Sequence, residues 1–231
     1  MTGRSPQVCS APGLQTCQYR GVEKRSSAGE RLLETASALF YARGIGAVGV
    51  DAVVAQSGVS KPTLYAQFGS KDGLIAAVLD RRRWTRQEAL TEFLAGVSSG
   101  PEEKLLAVFD WLALGHAKPG FRGCPFTNAA VELPDAGHPG RAVILAYKNW
   151  LRTTLADLAA DAGLADPEEL GSDLLLLIDG ANARVVHSGD SDAMRRAGSA
   201  AARLVAAART PPGRAVPGPG ISTRPNKHTE D

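Results

Sequence analysis

Residues 50–68 read VDAVVAQSGVSKPTLYAQF, and the rest of the chain makes sense as support for this stretch. Val50, Val53 and Val54 recur on one helical face, and Gly58 then breaks the run where a positive φ would strain any residue carrying a Cβ. A tight turn is predicted there. Val59 is placed to plug the angle between two short helices, and Ser60 or Lys61 begins the second, with Pro62 in its first turn, where the missing N–H does no harm. Leu64 and Phe68, four apart, face inward. That leaves Lys61, Thr63, Ala66 and Gln67 on the outward side of a helix of about two turns, too short to stand alone and too polar to be core. A braced short helix presenting Lys, Thr, Tyr and Gln has the form of the second helix of a helix-turn-helix, which meets base edges in a major groove. The bland alternative for that face is an ordinary solvated surface.

The stretch continues as GVSKPTLYAQFGSKDGL, and over roughly Ser27 to Leu79 the order of residues resembles the DNA-binding domain of the tetracycline-repressor (TetR) family. Gly58, Leu64, Tyr65, Phe68, Lys71 and Leu74 fall where that family's motif has Gly, Leu, Tyr, Phe, Lys and Leu. Val48 and Gly49 depart from it, standing where the family often carries a hydroxyl at the start of the first helix of the motif. The resemblance implies a DNA-binding transcriptional regulator, a repressor that holds a palindromic operator on double-stranded DNA as a homodimer and is released by a small-molecule effector. It implies base contacts from Lys61, Pro62, Thr63 and Gln67, and phosphate contacts from Ser60, Tyr65 and Lys71. Tyr65 on its own reads either as core or as a hydroxyl aimed at a phosphate, and the resemblance favours the phosphate. Lys71 opens a helix, where its charge opposes the dipole yet brings a cation and free amides to one anion.

The 231 residues, 44% apolar and 22% charged, suit a soluble protein with ample core. No run long enough to span a bilayer and no apolar signal segment is present, so a cytoplasmic location is expected. The net charge of +2 argues little by itself, but its distribution is uneven. From Arg20 to Arg86 there are 11 Lys/Arg against 6 Asp/Glu, whereas Gly96 to Arg209 has 11 against 14. The basic excess accompanies the helix-turn-helix, where phosphates would lie. Residues 1–25 read as a disordered leader and 210–231, with five prolines, as a disordered tail. Arg20, Lys24 and Arg25 are either a flexible arm for DNA or part of a solvated leader. Cys9 and Cys17 match no metal pattern.

Residues 26–72 are expected to form the DNA-binding domain. Ser27 with Glu30 reads as a capping box for its first helix, whose stripe is Leu32, Leu33, Ala36, Leu39 and Phe40, and Arg43-Gly44 as its stop in a left-handed cap. Ser70 caps the next, long helix. The run Arg81-Arg82-Arg83-Trp84 reads as a solvated face. Residues 73–209 are expected to form a helical ligand-binding and dimerisation domain, with helix starts at Pro101, Cys124, Pro139 and, capped by Asp166, at Pro167. No strand pattern occurs, so the fold class is all-α: an N-terminal three-helix helix-turn-helix domain joined to a C-terminal helical domain. Leu174 to Ile178 is apolar all round, and the last helix offers Met194, Ala197, Ala201, Leu204 and Val205. A homodimer through the helices at about 168–188 and 192–208 would cover both.

Candidate pocket residues are Trp111, Phe121, Phe126, Asn128, Glu132, Trp150, Asp179 and Asn182, with His187 beside them: polar or aromatic groups in apolar helices that either line a ligand cavity or satisfy one another. Gly123-Cys124-Pro125-Phe126 resembles a segment that, in some members of the same family, starts a helix near the ligand cavity. Cys124 itself reads as a small buried hydrophobe rather than a redox sensor. Gly96-Val97-Ser98-Ser99-Gly100 fits the letters of GxSxG but has no strand before it, so it reads as a loop. His116, His138, His187 and His228 are scattered, and no metal, cofactor or catalytic pattern emerges. The alternative function is a helical small-molecule-binding protein or enzyme that does not bind DNA.

Overall fold

The computed structural model describes residues 26–209; the leader with its basic arm and cysteines, and the tail, lie outside the described residues. Within them the chain is wholly helical: α1 Ser27–Arg43, α2 Val50–Ser57, α3 Lys61–Phe68, α4 Lys71–Ala95, α5 Pro101–His116, α6 Pro125–Glu132, α7 Pro139–Asp161, α8 Pro167–Ser188 and α9 Ala193–Ala208. No described helix is long and apolar enough to cross a membrane.

Helix α1 starts one residue earlier than the capping-box reading implies. Ser26, not Ser27, is the cap, and its Oγ accepts from the Gly29 amide at 3.1 Å. Tandem serines made both registers plausible, and the one that buries Leu32, Leu33, Ala36, Leu39 and Phe40 prevails. At its other end Gly44 has φ 91 and ψ 152, an extended conformation open only to glycine rather than the expected left-handed cap. Asp166 likewise caps α8 without a side-chain hydrogen bond, its backbone being left-handed at φ 47. Gly163, at φ +69, turns the chain after α7, and Leu164 folds back into the core with its amide on the Ala159 carbonyl.

The arginine run is not a solvated face. Arg81 pairs with Glu30 at 2.9 Å and lies 3.7 Å from Glu34, while Arg82 donates to Ser37 Oγ at 2.8 Å and sits over the Tyr41 ring. Arg83 turns back to Asp80. Two of the three thus fasten α4 to α1, with partners 45 and 51 residues away that a local reading does not bring into view.

Helix α4 runs out of the N-terminal domain and along α7, and α7 packs most extensively on α8. Gly171 permits that contact: a Cβ there would lie 2.9 Å from the Ala156 amide nitrogen. The α9 stripe of Met194, Ala197, Ala201 and Val205 is buried, with α9 packed on α5 and α8 of its own chain and Gly198 against Phe109. These four members of the expected stripe are therefore covered within the chain, whereas Leu204 is 36% exposed. A helix of alanines fits closely against its own neighbours, so its small face is used internally.

Candidate nucleic-acid interface

Helices α2 and α3 meet as the local signals require. Gly58 takes φ 65 and ψ 20, a left-handed turn in which its amide closes on the Val54 carbonyl. Val59 is 5% exposed beneath it, and Val53 and Leu64 are sealed in the core. Ser60 caps α3, its Oγ accepting from the Thr63 amide and lying 2.8 Å from Thr63 Oγ1, and Pro62 occupies the first turn. Phe68 is half-buried, and Gly69 at φ 72 turns the chain into Ser70, which caps α4.

Lys61, Pro62 and Gln67 are exposed and Thr63 is half-buried. Lys61 Nζ pairs with Asp51 Oδ1 at 2.8 Å, so α2 holds this lysine and raises its pKa through that hydrogen bond and charge. Ser60 is exposed, and Tyr65 stands 43% exposed. Lys71 is half-buried at the start of α4, and its ammonium donates to the Ile45 carbonyl at 2.9 Å. One of its protons therefore steadies the loop before α2, and two remain for an anion. Gly49, the cap of α2, makes no side-chain cap bond, in keeping with the missing hydroxyl noted in the sequence.

That loop is also gripped from the C-terminal half. Glu132, at the end of α6, accepts from the Gly46 amide at 2.8 Å. Tyr41 Oη receives the Arg122 amide at 2.7 Å and donates to the Gly123 carbonyl at 3.1 Å, and the Arg122 guanidinium caps the Ala42 carbonyl. His138, the cap of α7, faces Asp72 at 3.3 Å. The end of α1 is thus strapped to α6 and its approach, and the start of α4 to the cap of α7.

The candidate pocket residues do not line one cavity. Asn128 and Glu132 border a cleft of about 170 Å³ between α1, α4 and α6, together with Tyr41, Arg82 and Arg122. Trp150 lines an open groove of about 650 Å³ along α4 and α7. Phe121 and Asn182 border a void of about 20 Å³ inside the C-terminal bundle. Near it Phe126 stacks on Tyr147 at 3.9 Å, Trp111 lies under Arg86 and Asp179 pairs with Lys148. Sequence reasoning missed Arg86, Tyr147, Lys148 and His116, which make this interior polar. They sit in helical runs whose buried side only the tertiary packing defines. Cys124 is 8% exposed, as a small buried side chain should be. Among the described residues no group of three or more potential ligands could hold a metal ion.

Comparison with known proteins agrees with this architecture. The family model described as bacterial regulatory proteins, tetR family, matches residues 32–78, and that of the tetracyclin repressor-like C-terminal domain matches residues 101–201. A solved TetR-family transcriptional regulator from Streptomyces coelicolor is 34% identical, covering 79% of this chain and 96% of that one with a TM-score of 0.74. The HTH-type transcriptional repressor BdcR of Escherichia coli is 29% identical over 136 residues, 59% of this chain and 68% of BdcR. The HTH-type transcriptional activator FasR of Mycolicibacterium smegmatis is 42% identical over 79 residues, 29% of this chain and 36% of FasR. With both halves matched and α2–α3 presenting an exposed polar side, the chain belongs to the TetR family of DNA-binding transcriptional regulators.

Proposed function

We propose that the chain is a repressor that holds a palindromic operator as a homodimer and lets go when a small molecule binds its C-terminal half. In this reading residues 26–72 form the DNA-binding domain, 73–209 bind the effector and the second chain, and the protein works in the cytoplasm. Lys61, Pro62, Thr63 and Gln67 meet base edges, while Ser60, Tyr65 and Lys71 meet phosphates. The observation that carries the reading is the strap between Glu132 and Gly46, which joins the bundle to the loop that aims α2 and α3. Repression is favoured because BdcR, the relative matched over the longer stretch, is named a repressor.

The second chain has a place on α8. Asp173, Leu176, Gly180, Ala183 and His187 recur at alternating three- and four-residue intervals and are all exposed, Leu176 to 70%. That spacing makes a straight seam, with small residues at which helices approach closely. A two-fold axis there sets two copies of α3 on one side of the duplex, about 34–36 Å apart, for successive major grooves. An effector that prefers a conformer with the wrong spacing by about 5.5 kcal/mol turns a 1:99 mixture into 99:1.

Fragments selected from genomic DNA by the protein should contain two inverted half-sites. Sedimentation should give a dimer that Leu176→Glu dissociates, with loss of operator binding. A lone half-site bound by a single chain would overturn the dimer, and a bound ligand that leaves DNA affinity unchanged would overturn release.

A further inference from the structure

Arg86 is a half-buried cation to which no described residue offers a carboxylate. Its Nε donates to the Tyr147 hydroxyl at 3.0 Å and its guanidinium lies 4.7 Å from the Trp111 ring centre. Among the described residues no Asp or Glu forms an ion pair with it, whereas Arg81 and Arg83 on the same helix have Glu30 and Asp80. The guanidinium borders the void of about 20 Å³ enclosed by α4, α5, α6, α7 and α8. Lys148 borders it too and pairs with Asp179, so that pair leaves Arg86 uncompensated. On the opposite wall His116, 6% exposed, has its Nε2 3.2 Å from Asn182 Oδ1 and a buried Nδ1 without a partner.

A charge removed from water without a counter-ion is costly, and a protein keeps one where something else supplies the opposite charge. A guanidinium with open N–H groups is matched by a carboxylate, which it can hold through two parallel hydrogen bonds. The void has room for about one water-sized group, enough for one oxygen of such a head but not for the body behind it. Phe121, half-buried and stacked on His116 at 4.3 Å, closes the wall where that body would continue.

We propose that this cavity takes the carboxylate head of a small organic acid, with Arg86 and Lys148 as its cationic clamp and Phe121 displaced by the rest of the molecule. This rests on the ligand-release reading above and names the chemical class of the effector. Cys124 also borders the void.

The test uses the full chain, with sodium acetate and sodium benzoate as probes, acetamide and benzamide as neutral counterparts, and sodium chloride holding ionic strength constant. Melting temperature and tryptophan emission, reporting through Trp111, should respond saturably to the carboxylates and not to the amides. Arg86→Met should weaken that response by about tenfold or more, and Arg86→Lys by less. If Arg86→Met does not fold, Lys148→Met is read the same way. No saturable response to either carboxylate, an equal response to the amides or to chloride alone, or an unchanged response in folded Arg86→Met or Lys148→Met would overturn the proposal. Carboxylate binding through Arg86 that leaves DNA affinity untouched would keep the acid site and remove ligand release. Release by a molecule indifferent to Arg86 would do the reverse.

Discussion

The Glu132 carboxylate on α6 and the Gly46 amide in the α1–α2 loop are 2.8 Å apart, and this bond is one of the C-terminal half's holds on the DNA-binding domain. Lys71 takes the Ile45 carbonyl, so the loop is held at two consecutive residues, and a Cβ on neighbouring Gly44 would fall 3.0 Å from the same carboxylate. Glu132→Ala is expected to lower operator affinity severalfold by widening the range of α2–α3 orientations. The bond is exposed, so the stability loss should stay within about 0.5–1.5 kcal/mol. Anisotropy titrations across a salt series check this, and the salt slope should not change because no phosphate contact is lost.

Lys71, Tyr65 and Lys61 are separable by the kind of loss each produces. Lys71→Met should weaken binding to every sequence alike and reduce the salt slope by about 0.9, the signature of one phosphate neutralised. Tyr65→Phe removes a neutral hydroxyl, so it should weaken all sequences without altering the slope. Lys61→Met and Gln67→Ala should instead change which sequences are preferred, as read by selection from a randomised library. Uniform weakening from all four substitutions would remove the base contacts from Lys61 and Gln67.

Asp51 places a negative charge beside the reading helix. Its pair with Lys61 is exposed, 48% on the lysine side and 82% on its own, and such pairs contribute little to stability. Asp51→Asn should therefore barely move the melting temperature. It should tighten DNA binding, most at low salt, by removing repulsion from the phosphates and freeing the ammonium. Weaker binding in Asp51→Asn would show instead that the pair is what orients Lys61.

What the sequence reveals about this chain follows how local each signal is. Gly58, Ser60 and Pro62 specify the turn and the cap by backbone chemistry within a few residues, so the helix-turn-helix could be read directly. The arginines at 81 and 82 looked like surface because their partners, Glu30, Ser37 and Tyr41, sit on another helix. Arg86 was missed for the same reason: whether an arginine in a polar run is buried depends on what α7 and α5 bring against it. A polar or aromatic residue in apolar surroundings is marked by its sequence as a packed group, but not as a member of any one cavity. Asn128 and Glu132 consequently belong to the joint between the halves, and Trp150 to an outer groove.

His116 should make the fold sensitive to mild acid. Asn182 gives its amide nitrogen to the Ile178 carbonyl, so its oxygen faces the ring and the Nε2 of His116 carries the proton. Burial lowers the pKa of this histidine below its ordinary 6.5, against the opposing hydrogen bond to Asn182, with Arg86 adding to the lowering. Between the lowered folded value and 6.5 the unfolded chain binds more protons than the folded one, so stability rises with pH across that window. It is fully present above 6.5 and is lost as pH falls through the window. Melting temperature against pH should show this acid-side slope, and His116→Gln should flatten it. Equal slopes in both proteins would place the acid sensitivity elsewhere.

Gly73 should matter for DNA binding although it touches none. It is the third residue of α4, its amide donates to the Ser70 cap at 3.0 Å, and a Cβ there would come within 2.1 Å of the Phe68 carbonyl oxygen. That oxygen is backbone at the end of α3, so relief requires α3 to shift against α4. Gly73→Ala is expected to cost about 1–3 kcal/mol, as other overpacked sites do, and to lower operator affinity even in the fully folded protein. Gly69 makes the comparison: at φ +72 with nothing within 4 Å of a Cβ, Gly69→Ala strains only its own backbone, by about 1–2 kcal/mol. At a temperature where both variants are folded, Gly69→Ala should bind DNA nearly as the parent does and Gly73→Ala should not. If both lose affinity in proportion to their lost stability, α3 is held by its own turn and not by the end of α4.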